Sequence, residues 1–212
     1  MAGQQRTYRG TLITFEGIDG CGKTTQLRKS LRFLKAQGRA VVALREPGST
    51  PVAERIRRIL LDRSSQISDV TELLLYEAAR AEIVRAEIRP HLKAGRIVLC
   101  DRFYDSTTAY QGYGRKLDIA MVKRLHRVAA GDIRPNLTLV FDVDLETSYR
   151  RRGKRPDRLE AQSRAFFNRV RKGFREIAAR DTRRVKLIDG TPEAEAVFEE
   201  VKRILARRFL RR

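Results

Sequence analysis

The segment Gly17-Ile18-Asp19-Gly20-Cys21-Gly22-Lys23-Thr24, followed by Thr25, constrains this chain more than any other. It has the form G-x-x-x-x-G-K-[ST]. Before it lies an apolar, β-branched run, Thr11 to Glu16 (TLITFE). After it, Leu27, Leu31 and Leu34 recur at helical spacing from Lys23 to Gln37, with Gly38 as the stop. A strand that turns through glycines into a helix N-terminus directs backbone N–H groups inward as a phosphate nest. In that context Lys23 can bridge the β- and γ-phosphates of a nucleotide, and the Thr24 hydroxyl can ligate Mg²⁺. Gly17 to Thr25 is therefore the expected nucleotide-binding set. The loop identifies a user of nucleoside triphosphates, not a reaction. The chain has no N-K-x-D guanine signature, and 212 residues is short for a motor ATPase, which favours a small kinase.

The rest of the chain alternates in the same way. Ala40 to Leu44, Arg96 to Cys100, Leu137 to Val143 and Val185 to Ile188 read as further strands. Val52 to Leu61, Val70 to Leu92, Ile119 to Ala130, Leu145 to Arg152, Ala161 to Ala179 and Glu193 to Phe209 read as helices. Strands interleaved with helices predict an α/β fold: a five-stranded parallel sheet with helices on both faces. Ligands of such sheets bind beyond the carboxyl ends of the strands. One domain is expected over 11–212, preceded by a loose polar extension at 1–10. The two cysteines, Cys21 and Cys100, match no metal spacing. With no apolar leader or bilayer-length segment, they suggest a reducing, cytoplasmic compartment.

The strand ends pass that test. Arg45-Glu46-Pro47-Gly48-Ser49-Thr50 reads as a rigid charged turn at the ligand edge, or as an ordinary solvated turn. Asp101, after the IVLC run, suits a carboxylate acting on Mg²⁺ or its waters, and Arg102 beside it would face the phosphates. Tyr76 and Arg80 are four apart and share a helix face, so a ring could stack on a base while a guanidinium donates to it. Taken alone, a core tyrosine beside a surface arginine explains that pair better. The stretch from Arg150 to Arg158 (RRRGKRPDR) looks like a small basic lid rich in phosphate ligands, with a solvated charge run as the plainer alternative. From Arg150 to Lys186 there are 15 Lys/Arg against 4 Asp/Glu, within a net charge of +20 for the whole chain. Such an excess attracts polyanions or marks a solvated basic surface.

Together the motifs FEGIDGCGKTTQ (Phe15 to Gln26), REPGST (Arg45 to Thr50), LLYEAAR (Leu74 to Arg80), DRFYDSTTAYQG (Asp101 to Gly112), and PDRLE followed by FFNRVRKGF (Pro156 to Phe174) resemble thymidylate kinase, of the P-loop nucleoside-monophosphate kinases. The resemblance runs from about Thr11 to near the C-terminus. It implies transfer of the γ-phosphoryl group of ATP to thymidine 5′-monophosphate with Mg²⁺, supplying DNA precursors, in a homodimer. Thr24 and Asp101 would serve the metal. Asp19 would position the acceptor and its metal, and Lys23, Arg102 and lid arginines such as Arg151 and Arg155 would carry catalysis. Arg45 and Arg102 would hold the acceptor phosphate. Tyr76 would stack on thymine, Arg80 donate to its carbonyl, Ser106 and Thr107 contact the base, and Tyr110 pack on the sugar edge. Gly20 stands where one class of the family has an arginine, which assigns catalytic arginine to the lid as in the bacterial type. Ser49 replaces a glycine of the family's usual loop, Tyr76 stands where phenylalanine is common, and Thr107 replaces a longer polar residue. Two alternatives remain at this level: another nucleoside or nucleoside monophosphate as acceptor, or a basic nucleic-acid-binding protein that keeps an ATP fold.

Overall fold

The computed structural model describes residues 8–152 and 157–209. Five parallel strands form one sheet in the order β2-β3-β1-β4-β5. They are β1 (Thr11–Glu16), β2 (Val41–Arg45), β3 (Ile97–Asp101), β4 (Leu137–Asp142) and β5 (Val185–Asp189). The central strands β1, β3 and β4 are buried along nearly their whole length, as a sheet covered on both faces requires. Side chains alternate between the two faces. Ile13 and Phe15 join Leu27 and Leu34 of α1 (Lys23–Ala36), Phe167 of α8 (Arg164–Arg180) and Leu205 of α9 (Ala194–Phe209). Leu12 turns the other way, onto Ile83, Ile88 and Leu92.

The remaining helices are α2 (Pro51–Leu61), α3 (Asp69–Ile83), α4 (Arg89–Lys93), α5 (Tyr104–Thr107), α6 (Ile119–Ala130) and α7 (Leu145–Arg151). The helix expected over Val70 to Leu92 is not uniform. A π-helical turn at Val84–Ile88 separates α3 from α4. Pro90 explains it: proline offers no N–H and its ring crowds the carbonyl four residues back, so the turn before it widens. The start of α8 also moves. Ser163 caps it by accepting from Phe166 N, and Asp157 turns the preceding segment by accepting from Leu159 N and Glu160 N.

A helical segment that the sequence pattern did not indicate follows β3. It comprises α5 and a π-helical stretch, Thr108–Gly114. Its Thr, Gly and Ser content disfavours helix, but seven of its residues from Thr107 onward are buried, and tertiary packing overrides propensity. The Tyr110 ring lies edge-on to Phe166, Phe167 and Phe174 of α8, with centroids 6.1, 6.5 and 6.2 Å away.

The extension expected to be loose is attached from Tyr8 onward. The Tyr8 hydroxyl donates to Asp132 at 3.0 Å, and Gly10 N donates to the Leu92 carbonyl at 2.9 Å. Residues 1–7 lie outside the described residues. No helix among the described residues is long and apolar enough to cross a membrane. Register brings the functional strand ends level: Phe15 of β1 and Arg45 of β2 both align with Asp101 of β3. The strand order reverses at β1, so the crevice of a doubly wound sheet opens at the phosphate loop.

Candidate active site

The phosphate loop turns through left-handed backbone at Gly17 (φ 133°), Gly20 (φ 78°) and Gly22 (φ 91°). Gly20 is constrained twice. A Cβ there would lie 2.5 Å from the Ser148 carbonyl oxygen of α7, so α7 rests directly on the loop. Ser148 Oγ also donates to the Asp19 carbonyl at 2.6 Å. Gly20→Ala is therefore expected to lower nucleotide affinity and thermal stability together. Titration with a fluorescent ATP analogue and a melting curve check this, and unchanged values for both would contradict the contact.

The side chains of Ile18 and Cys21 are buried in the core, which leaves their backbone to face a phosphate. Thr24 and Thr25 are exposed in the first turn of α1. Lys23 is buried and donates to Asp19 Oδ1 at 3.1 Å. Thr24 Oγ1 donates to Asp101 Oδ2, so the two residues expected at the metal meet. Among the described residues no three His, Cys, Asp or Glu side chains cluster as a metal cage. One hydroxyl and one carboxylate beside a phosphate nest suit Mg²⁺, which keeps waters and phosphates among its ligands.

A cleft of about 540 Å³, its open mouth included, lies beside this loop, lined in part by Asp19, Pro47, Arg57, Tyr76, Arg80 and Arg102. Arg102 is its electrostatic centre. Its backbone is left-handed (φ 72°), fixed by Arg102 N donating to the Phe15 carbonyl at 3.0 Å. The guanidinium donates to the Gly17 carbonyl (3.0 Å), Ser106 Oγ (3.0 Å), Asp19 Oδ1 (2.6 Å) and the Tyr110 hydroxyl (3.3 Å), and lies 5.0 Å over the Tyr110 ring. Burial opposes ionisation of Asp19, but Arg102 and then Lys23 outweigh it and hold this carboxyl well below the usual range. Asp19 is thus an anion throughout neutral pH, shared between two cations that would otherwise repel.

Glu16, at the end of β1, was not singled out in the sequence. Its one signal there is a carboxylate closing an otherwise buried strand. It is fully buried, accepts from Phe103 N at 2.8 Å and contacts the Ser106 hydroxyl, so it clamps the turn that presents Arg102. Burial, reinforced by Asp105, pushes its carboxyl up to about 8. A carboxyl raised on folding favours the folded state below its ordinary value of 4.5, and that contribution is lost as pH rises towards 8. Glu16→Gln keeps a neutral group of the same shape. Its stability relative to wild type is expected to increase from pH 5 to pH 8 in urea titrations, and a constant difference would contradict a protonated Glu16.

Arg80 is not a surface arginine. It is buried and donates to Glu46 Oε2 (2.9 Å), Glu77 Oε1 (2.6 Å) and Thr107 Oγ1 (2.9 Å). Glu77 also meets His126 Nδ1 at 2.8 Å, and the other ring nitrogen meets Thr108 Oγ1 at 2.9 Å. Thr107 therefore orients Arg80 through its hydroxyl. Burial, against the pull of Arg80, pushes the Glu46 carboxyl up to about 7, and its Oε1 is buried without a partner among the described residues. Tyr76 lines the cleft half-buried, and its hydroxyl bonds to no described residue. Arg45 does not line the cleft. It pairs with Glu54 at 2.8 Å, and Arg57, which the sequence reading passed over, takes a place in the lining. Ser49 adopts φ 67°, the region its usual glycine would occupy, and its hydroxyl accepts from Arg45 N at 2.9 Å.

The arginines of the segment expected to form a lid take different partners. Arg151 donates to the Gly190 and Thr191 carbonyls, both at 2.7 Å. Arg152 reaches the phosphate loop, with Nε 3.3 Å from the Asp19 carbonyl and its guanidinium 4.2 Å over Phe167. Its Nη2 is buried without a partner among the described residues. Arg155 lies outside the described residues. Arg158 donates to Glu72 (2.6 Å) and to the Leu60 carbonyl (2.8 Å).

A parallel sheet with a phosphate loop at its reversal point, a carboxylate at the end of β3 and an arginine-lined acceptor cleft defines a P-loop kinase of the nucleoside-monophosphate type. The thymidylate kinase family model matches residues 15–201. The thymidylate kinase of Geobacter sulfurreducens is 45% identical over 212 residues, covering 96% of this chain and 100% of that relative. That of Symbiobacterium thermophilum is 44% identical, covering 93% and 95%. A crystal structure of thymidylate kinase from Ehrlichia chaffeensis superposes with a TM-score of 0.76 at 36% identity, covering 92% of this chain and 98% of that one. The chain belongs to the thymidylate kinase family.

Proposed function

We infer that this chain phosphorylates thymidine 5′-monophosphate to the diphosphate with ATP as donor, on family membership and on the arrangement of its cleft. The observation that carries the reading is Arg102. It stands between the phosphate loop and the cleft, where donor and acceptor phosphates would meet. An acceptor phosphate oxygen attacks the γ-phosphorus, the new P–O bond forms, and the bond to the departing ADP oxygen breaks. Phosphate monoesters are largely ionised at neutral pH, so no strong general base is required, and catalysis rests on positioning and charge. Lys23 and Arg102 offset the charge of the transferring group. Arg152, whose buried Nη2 has no partner among the described residues, supplies a donor beside Asp19. Arg151, tied to two carbonyls, holds the loop after β5.

Thr24 and Asp101 would hold Mg²⁺, whose chemistry is to neutralise charge on the β- and γ-phosphates. Tyr76 and Arg80 form the wall on which a pyrimidine would stack and find a donor, and Tyr110 borders the sugar. Domain organisation follows the sheet: one kinase domain with a lid at about residues 150–158. The exposed apolar side chains Val52 and Ile59 of α2, with Val70 and Leu74 of α3, offer a face for a second copy. Sedimentation velocity reads this directly, and a monomer at micromolar concentration would count against it.

Phosphorus NMR tests the chemistry. ATP, Mg²⁺ and thymidine monophosphate should give ADP and thymidine diphosphate, with no inorganic phosphate and no turnover in excess chelator. Accumulation of inorganic phosphate in place of a diphosphate product would point to a hydrolase.

A further inference from the structure

A second, larger groove, of about 1890 Å³ with its open mouth included, lies on the other side of α5 from the cleft. None of the residues assigned to catalysis or acceptor binding lines it. Besides Arg180 and Arg184, which are paired with carboxylates, five cations line it from four separate parts of the chain: Lys123 and Arg127 on α6, Arg134 in the loop into β4, Arg183 in the turn into β5, and Arg208 on α9. All five are exposed, and none has an ion-pair partner among the described residues. The acidic groups of the groove are already committed. Asp105 and Asp181 hold Arg184 at 2.5 and 2.8 Å, and Asp132 holds Arg89 at 3.1 Å. Arg208 also donates to two main-chain carbonyls, of Arg183 and Asn136, which holds its exposed guanidinium across the turn.

A net charge of +20 has no use in the kinase cleft beyond a few residues. Here a part of it converges on one concave surface. The occupant must be an anion with charges spread along its length, because a single phosphate cannot meet cations drawn from four elements. A second copy of the chain would bring the same cations face to face, which costs energy at a two-fold contact. Tyr104 and Tyr113 also line the groove, but the Tyr104 ring is stacked on His126 and lies beneath Arg184, so the groove grips through its cations rather than by stacking. A positively charged groove that can track a run of phosphates is the electrostatic half of the pattern that holds an unpaired polynucleotide. We propose that this groove binds single-stranded nucleic acid through its phosphodiester backbone.

Fluorescence anisotropy of a labelled oligonucleotide of about 12 nucleotides, in deoxy and ribo forms, tests this on the full chain. The cations read phosphates, so both forms should bind. The slope of log affinity against log salt should be about −3 to −4, from roughly −0.7 per phosphate contact over five cations. The triple variant Arg127→Glu/Arg134→Glu/Arg183→Glu should lose about 30-fold or more in affinity at low salt. Kinase activity in that variant within twofold of wild type shows that it is folded. If the triple variant misfolds, the single variant Arg134→Glu with a several-fold loss serves the same purpose. Binding that survives charge reversal, binding displaced by saturating ATP, or no binding at all would overturn the proposal. Displacement of the strand by inorganic triphosphate at equal phosphate concentration would overturn it as well, since it would mark a small-anion site. Because kinase turnover is measured separately, failure here leaves the reading of the active site untouched.

Discussion

Arg102→Ala is expected to lower kcat by about 10³-fold with thymidine monophosphate as acceptor, the scale on which losing one preorganised charge donor acts. The effect should exceed that of any other cleft arginine, because this guanidinium touches the phosphate loop, Asp19 and the edge of the acceptor site at once. Arg102→Lys should recover little. A lysine cannot bond Gly17, Ser106 and Asp19 together, and the left-handed backbone at this position remains strained. Steady-state kinetics with ATP saturating separates the terms: kcat falls, and KM for ATP moves little. A loss confined to KM for the acceptor would reduce Arg102 to a binding residue.

Arg80→Ala is expected to cost about 3–5 kcal/mol in unfolding free energy, the usual range when one member of a buried ion cluster is deleted. Glu46 and Glu77 would be left buried and facing each other. Glu46 is already raised to about 7 by burial and would rise further without its cation. A carboxyl raised on folding favours the native state at low pH and loses that advantage as pH climbs, so the deficit should be larger at pH 8 than at pH 5. Urea titrations at both values measure it. A deficit below about 1 kcal/mol at both would mean that water reaches the cluster.

The order of strands and helices and the whole phosphate loop were legible in the sequence, because alternating apolar runs and the spacing of Gly17, Gly22 and Lys23 carry local signals. Tyr76, Arg80, Ser106, Thr107 and Tyr110, drawn from two separate motifs, line one cleft. What the sequence did not show depends on contacts between distant segments. The helix from Tyr104 to Gly114 is poor in helix formers and exists because α8 packs on Tyr110. Arg80 reads as exposed until Glu46 from the β2–α2 loop and Thr107 from α5 close around it. The exchange of Arg45 for Arg57 in the cleft turns on a single pair, Arg45 with Glu54, nine residues apart. In the lid, adjacent arginines face different partners, and no local pattern distinguishes Arg151 from Arg152.

An acceptor panel tests the assignment most directly. ADP release is followed with ATP, Mg²⁺ and each common nucleoside monophosphate at equal concentration, with Lys23→Ala as the blank. Thymidine monophosphate should be turned over far faster than cytidine, adenosine or guanosine monophosphates, with deoxyuridine monophosphate the nearest competitor because it lacks only the methyl group. Equal or faster turnover of a purine monophosphate would contradict the Tyr76 and Arg80 wall as a pyrimidine site, and no turnover with any acceptor would contradict the kinase itself.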